Sequence, residues 1–554
     1  MKAITLKTRI HTMKNTKAVV MLVGLLLIAF TANAQKNSRS YAPIPASVPT
    51  PAKVDSRIGT LDFPNGYPTE ATAQRLADEM LYVHGVSAYT NTIQGASLWA
   101  LRKGFAEIGV KDNEFIVSPE MMDGHALFLT ANMDTYYFWG NINLENGPMV
   151  VETPPNVLGV MDDFWFRWVS DFGLPGPDRG AGGKYLLIPE SYDGPLPEGG
   201  YFIKRSRTNL VTVLGRSFLS DNSTKQSVKD VKENLKVYPY AQGGLGTSVG
   251  SYLNGEVHLG KIAEAKTPKM LDVSGISINT LPPADFGHYE YINELVQSQP
   301  ASALDPEIAG QLAAIGIVKG KKFSPDAKTR AILDKSVQVA NAASRTAASG
   351  AMPNNTFRYY DETSAWWNPL FDGGYQFLTP PAEIEADGTV KPYPSDGARK
   401  LTARTSFFYV ATGITPAMVM RLTNIGSQYI IASVDAGGNP LDGSKTYKLV
   451  LPPNIPHARF WSTTVYDNQT RSIIQTDQRY PRAGSQSYPS PAAEAGKDGS
   501  ITLYFGPEKP KGVPEGNFVQ TLPSRGWFQI LRFYSPTKGF FDKSWRPGEV
   551  ELVK

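Results

Sequence analysis

The densest run of groups able to do chemistry is the segment from Met161 to Gly180, where Asp162, Asp163, Arg167, Asp171, Asp178 and Arg179 alternate with Phe164, Trp165, Phe166, Trp168 and Phe172. On an extended strand, alternate side chains share a face. A strand over Phe164–Val169 therefore sets Asp163, Trp165, Arg167 and Val169 side by side, a carboxylate, an indole and a guanidinium in line. Such a face suits an oxygen-rich ligand held by bidentate hydrogen bonds and aromatic stacking. The competing reading is a structural ion pair between Asp163 and Arg167. Two other stretches have similar character: Asn132-Met133-Asp134-Thr135-Tyr136 just before a strand, and Arg205-Ser206-Arg207-Thr208-Asn209 followed by Arg216 in a hairpin. Asn and Asp in these positions also serve as turn formers, so a functional reading requires the three stretches to converge. The candidate catalytic residues are thus Asp163, Asp171 and Arg167. The candidate binding residues are Asn132, Asp134, Trp165, Arg179, Arg207, Asn209 and Arg216.

Other chemistries lack their motifs. Of six histidines none forms an HExxH or HxH pair, so no transition metal and no cofactor are expected. Gly426-Ser427-Gln428 lies beside a strand with none of a nucleophile elbow's flanking glycine pattern. Gly180-Ala181-Gly182-Gly183-Lys184 runs into the strand-like Tyr185–Ile188 where a phosphate loop needs a helix, which makes it a tight turn.

The elements that must position these groups follow from periodicity. After an irregular leader over residues 35–68, Thr69 caps a helix with Leu76, Met80 and Val83 on one side. A second helical stretch carries Ile93, Leu98, Leu101, Phe105 and Ile108; both stripes read as core faces. From Ala126 to Leu219, short aromatic and β-branched runs broken by turn residues predict a sandwich or barrel-like lobe. Helical patterns resume between residues 226 and 355, and strands return beyond Phe407. There Phe460-Trp461-Ser462-Thr463-Thr464-Val465-Tyr466-Asp467 alternates, with Trp461, Thr463 and Val465 on one face and Phe460, Ser462, Thr464 and Tyr466 on the other. The expected fold is α+β and predominantly β: two helices, a β-sandwich-like lobe within 69–225, a helical segment over 226–355 joining the lobes, and a second sandwich over 356–554.

The first 34 residues have a signal peptide's layout: Lys14 and Lys17, an apolar run from Ala18 to Phe30, then Thr31-Ala32-Asn33-Ala34 before a start near Gln35. The run is too short to span a bilayer, which takes about 20 residues. Export to the periplasm or medium is expected, with no stable membrane insertion after cleavage. The chain has no cysteine, so it has no lipid-attachment site there and no disulfide. The net charge is +4, but residues 1–34 hold five basic residues and no acidic one, which leaves the remainder at −1. Nothing electrostatic then points to nucleic acid as a partner.

Taken together, Asn132–Tyr136, the Arg207-Thr208-Asn209 to Gly215-Arg216 hairpin, the Phe460–Asp467 strand, and the C-terminal Arg532-Phe533-Tyr534-Ser535-Pro536 and Asp542–Pro547 resemble the tandem families called domain of unknown function 1254 and domain of unknown function 1214. The resemblance runs from about residue 75 to the end, in that order. It implies two sandwich-like lobes in a bacterial exported protein. Met133 departs from the Asn that many relatives carry there.

Two functions accommodate these residues. One is an extracytoplasmic hydrolase or lyase on a polar or polymeric substrate, slightly favoured, with Asp163 or Asp171 as acid–base group and Arg167, Arg179 and Arg207 holding developing negative charge. The other is a non-catalytic protein that binds a small or polymeric polar ligand or a partner in the cell envelope. Either is compatible with a homo-oligomer. Convergence of Asp134, Asp163, Arg167, Arg207 and Arg216 on one pocket is the arrangement that a small-molecule site requires.

Overall fold

Runs of β-branched and aromatic residues pair into sheets where turn residues let the chain reverse, and this chain builds four main sheets from them. The computed structural model describes residues 41–349, 357–378, 383–384, 390–391, 394–395, 397–420 and 422–553, so the signal-like segment 1–34 lies outside the described residues. The chain falls into two units, residues 1–77 and 78–554. Within the first, Lys53–Ser56 and Gly59–Asp62 form an antiparallel hairpin, and Thr72 Oγ1 accepts from the Asp62 amide at 2.9 Å. Both lobes belong to the second unit.

The N-terminal lobe is a sandwich. Its six-stranded sheet has the order Met270–Asp272, Phe115–Val117, Tyr136–Asn143, Leu210–Ser217, Val157–Asp163, Trp168–Gly173. A four-stranded sheet packs on it, ordered Phe202–Ser206, Lys184–Pro189, Met149–Glu152, Lys236–Pro239. Between them lie Phe138, Met161, Phe172, Tyr185 and Val213, all buried. The C-terminal lobe repeats the scheme. Ser427–Ala432, Trp527–Pro536, His457–Asp467 and Arg482–Gly484 form one sheet, and Phe518–Gln520, Ile501–Gly506, Tyr447–Leu451 and Glu551–Leu552 the other. Trp461, Val465, Leu503, Trp527 and Phe533 fill the space between.

Each lobe thus turns one sheet face away from its own sandwich. On the N-terminal sheet that face carries Ile116, Tyr137 and Trp139, with Leu214 and Arg216 beside them by register. On the C-terminal sheet it carries Tyr429 and Ile431, Ile530 and Arg532, Ser462 and Thr464. The alternation read from the Phe460–Asp467 strand gives this division, with Trp461 and Val465 in the sandwich core.

The two helical stretches expected after Thr69 are parts of one 38-residue helix, Glu70–Glu107. Its β-branched middle is weak in helix propensity, but tertiary packing decides: Ala88, Tyr89, Ile93, Leu98, Leu101 and Phe105 are all buried. The first expected stripe is not a core face, since Met80 is 51% and Val83 42% exposed. Gly287–Ser298, Pro306–Ala314 and Ala327–Ala348 pack near the buried stretch. Two glycines allow the close approach. A Cβ at Gly85 would lie 2.3 Å from Ser336 Oγ, and one at Gly95 would lie 2.5 Å from the Trp165 ring and 2.9 Å from Leu295. Among the described residues no helix is long and apolar enough to cross a membrane.

Gly95→Ala tests this packing, because alanine is the better helix former by about 0.5–1 kcal/mol. The clash with Trp165 should outweigh that gain and lower stability by about 1–3 kcal/mol, read from the denaturant midpoint; an unchanged or raised midpoint would contradict the close contact.

Candidate functional site

Asn132 begins the chemistry of the site by folding its own loop. Its Oδ1 accepts from the amides of Asp134 and Thr135 at 2.9 and 3.1 Å and from Thr135 Oγ1 at 3.0 Å, while its Nδ2 donates to Tyr137 Oη at 2.8 Å. This side-chain-built turn aims Asp134 at the outward face of the C-terminal sheet. There Arg482 Nε lies 2.8 Å from Asp134 Oδ1, with both side chains 0% exposed. Ser462 Oγ and Tyr534 Oη donate to Oδ2 at 2.5 and 3.3 Å. The neighbouring backbone is bonded to the same sheet: Thr130 O accepts from Arg532 Nη2 at 2.8 Å and Ala131 O from Tyr466 Oη at 2.6 Å. Met133 points into the apolar core and is fully buried.

A second set of contacts joins the lobes two strands away. The segment following helix Leu401–Val410 crosses the N-terminal sheet, where Asp162 Oδ2 accepts from the Ile414 amide at 2.9 Å and Asp171 accepts from the Thr415 hydroxyl. Burial pushes the Asp162 carboxyl well above the usual carboxylate range. Burial also raises Asp171, to about 6, against hydrogen bonds from Thr415 and Trp168 that favour the charged form.

Between these two sets lies a cavity of about 130 Å³. Its floor is the outward face of the N-terminal sheet, with Ile116, Trp139, Leu214, Val160 and Asp171 in one row and Tyr137, Arg216 and Leu158 in the next. Its roof is Tyr429, Ile431, Ile530 and Arg532 of the C-terminal sheet, and Phe407, Val410 and Met418 close one side. The lining is mostly apolar apart from Asp171 and one cationic end. There Arg216 Nη1 donates to Tyr429 Oη at 3.3 Å, and the Arg532 guanidinium lies 5.2 Å from the centre of the Tyr429 ring. Neither arginine has a carboxylate within 4 Å among the described residues. Arg532 is 5% exposed, and its Nε has no hydrogen-bond partner among them. The Tyr429 phenol shows the field these cations create: burial would raise it, yet Arg216, Arg532 and a bond with Ser427 bring it below its ordinary value. Tyr137, by contrast, is raised by burial.

The sequence candidates separate accordingly. Arg216 and Asp171 line the cavity, and Asn132 and Asp134 hold the lobes together beside it. Asp163, Trp165 and Arg167 do not share a strand face, because residues 164–167 form a turn between two strands, with Phe166 at φ 48°. Asp163 Oδ1 accepts from the amides of Trp165 and Arg167 at 2.9 and 3.1 Å, and Oδ2 accepts from Arg167 Nε at 2.6 Å. The short Asp side chain satisfies the turn's amides better than a strand ladder would. Trp165 turns inward against Gly95. Arg179 is exposed in a turn at φ 50°. Arg207 donates to Ser302 O at 3.0 Å, and the Asn209 amide donates to Gln299 at 2.8 Å. Asp134, Asp163, Arg167, Arg207 and Arg216 therefore do not line one pocket. Sequence reading passed over Arg532, Tyr429 and Arg482; the available signal was a cation at an alternate position of an otherwise apolar strand, as in Ile530-Leu531-Arg532. Among the described residues no group of three or more His, Asp or Glu side chains could hold a metal ion.

Residues 113–239 match the family model described as protein of unknown function DUF1254, and residues 426–538 match that of protein of unknown function DUF1214. No curated protein matches the chain. Among solved structures, the VPA0106 protein of Vibrio parahaemolyticus is similar at 18% identity and a TM-score of 0.47, over 86% of this chain and 100% of that one. An uncharacterized protein of Burkholderia cenocepacia is similar at 11% identity and a TM-score of 0.34, over 87% and 97%.

Removing one partner of the buried pair, in Asp134→Ala, should cost about 3–5 kcal/mol, read by chemical denaturation. Asp134→Ala combined with Arg482→Met should cost clearly less than the sum of the two single changes; simple additivity would mean the pair is not coupled.

Proposed function

The chain carries a DUF1254 domain followed by a DUF1214 domain, and from the cavity between them we propose that it binds a small organic anion, Arg216 and Arg532 taking the anionic head and the apolar lining its body. The observation that carries this is the buried guanidinium of Arg532, whose Nε has no acceptor among the described residues and whose charge has no carboxylate counterpart there. A buried donor calls for an acceptor, and a buried cation for an anion. Arg216 adds a second cation on the other wall, and paired guanidinium groups match the geometry of carboxylate or phosphoryl oxygens. Size favours a small molecule over a polymer: the cavity's 130 Å³ is of the order of the roughly 150 Å³ that admits a single small organic molecule.

The hydrolase or lyase reading has one observation in its favour. Asp171, raised to about 6 by burial, lines the same cavity and has the proton affinity of a general acid or base working near neutral pH. One experiment serves both readings. Isothermal titration of the whole protein with a panel of small aryl and alkyl carboxylates should find a binder, and Arg216→Gln should weaken it roughly 10- to 150-fold, the worth of a charge-assisted hydrogen bond. Ligand recovered unchanged supports binding alone, whereas a converted product supports catalysis. Undiminished affinity in Arg216→Gln would remove the arginine from the site.

We further place the protein in the periplasm or outside the cell. The basic, apolar and small-residue order of residues 1–34 supports this. The intact mass of protein recovered from that compartment should correspond to a chain starting near Gln35; the mass of the whole chain would exclude cleavage.

A further inference from the structure

The cavity's polar groups are not all at one end. Asp171 lies in the row Leu214, Val160, Asp171, on the strand two places from that of Arg216. Two interstrand spacings, roughly 10 Å in all, and an offset of two residues along the strand, about 7 Å, put their Cα atoms on the order of 12 Å apart, and the side chains between them, Leu158, Val160 and Leu214, are apolar. Asp171 is 7% exposed. Thr415 donates to it; among the described residues no cation lies within 4 Å of it, and the charged groups that act on it are Lys204, which favours its charged form, and the Asp162 carboxyl. A carboxylate in that setting favours a neutral hydrogen-bond donor beside it, and it repels an anionic group brought next to it.

Resting on the reading of Arg216 and Arg532 as the seat of the anionic head, we infer that the ligand is a monoanion carrying a hydroxyl at its far end, bound as a hydrogen-bond donor to Asp171. Charge complementarity sets both ends: an anion to the guanidinium groups, a neutral donor to the carboxylate. The distance sets the body. A ring with a three-carbon acid side chain, or an unbranched six-carbon chain, spans about 7–9 Å at ordinary bond lengths, which bridges the two ends with apolar atoms beside Leu158, Val160 and Leu214. Dicarboxylates of the same length match the span and are rejected by charge. The Asp171 carboxyl, near 6, is ionised at pH 7.5, and protonation as pH falls through that value relaxes the rejection.

Two matched series at pH 7.5 test this by isothermal titration of the whole protein: cinnamate, 4-hydroxycinnamate and 4-carboxycinnamate, and hexanoate, 6-hydroxyhexanoate and adipate. In at least one series the hydroxy acid should bind about ten-fold or more tightly than its parent, and the dicarboxylate more weakly than the parent. In Asp171→Asn the penalty on the dicarboxylate should largely vanish, while the parent acid's affinity changes less than about three-fold. The dicarboxylate should also gain on the parent between pH 7.5 and pH 6, where the probe carboxylates stay largely ionised, in the wild type and not in Asp171→Asn. If parent and hydroxy acids bind alike and both are weakened by Arg216→Gln, the anionic seat stands and the role of Asp171 is overturned. If no member of either series binds, the anionic seat falls and this inference falls with it.

Discussion

A carboxylate shut away from water, that of Asp134, fixes the relation between the two lobes. Isolated in a low-dielectric interior its charge would be strongly unfavourable. Here Arg482 meets it at 2.8 Å, and Ser462 and Tyr534 donate to its other oxygen. All three partners stand on the outward face of one sheet of the C-terminal lobe, on three adjacent strands. Hydrophobic burial alone would let the two faces slide, since it has no direction. A fully buried ion pair does not tolerate sliding, because any shift leaves two charges without partners. The side-chain turn built by Asn132 makes the arrangement possible, presenting Asp134 to that face without help from the ladder of either sheet.

With the faces held at that register, the cavity follows from which side chains they carry. Large apolar residues fill most of the contact, and the opening occurs where Arg216 and Arg532 flank Tyr429. Two guanidinium groups at one phenol repel each other and cannot be drawn together as closely as apolar side chains can. On the far side, Asp162 and Asp171 bind the segment around Ile414 and Thr415 to the N-terminal sheet. The cavity is thus bounded by two sets of contacts, one charged and one built on carboxyl groups whose burial favours their neutral forms.

Much of the architecture was legible in the sequence. The alternation in Phe460–Asp467 sets Trp461, Thr463 and Val465 on one face and Phe460, Ser462, Thr464 and Tyr466 on the other; the structure keeps that division, with Trp461 and Val465 in the sandwich core and Ser462 and Tyr466 on the outer face. Periodicity is local information, and so are strands. The reading failed where a local pattern met a local competitor. Phe164–Val169 alternates like a strand, yet Asp163 caps the amides of Trp165 and Arg167 and turns the chain. The two helical stretches read from periodicity are one unbroken helix, in which Gly85 and Gly95 let Ser336 and Trp165 approach. For the site, Arg216 and Asp171 stood out because they lie in polar stretches. Arg532 and Tyr429 did not, since each sits in an apolar strand that reads as core. What distinguishes them is the opposing face, supplied by residues about 210 to 400 positions away in the chain, and no spacing rule reaches that far.

The split origin of the cationic end gives the pairing of the two domains a physical meaning. Arg216 comes from the N-terminal lobe, and Arg532 and Tyr429 from the C-terminal lobe, so neither lobe alone has the paired guanidinium groups. In the proposed function, an anion seated between them neutralises the repulsion that opposes docking at that point, and the Asp134 pair resists separation at another. Binding and docking then become linked: a ligand that requires both lobes favours the docked arrangement by RT ln(1 + [L]/Kd), and whatever loosens the Asp134 pin weakens binding by the fraction of molecules left undocked. An ion pair that touches no part of the cavity would in this way set the affinity of a site formed by other residues.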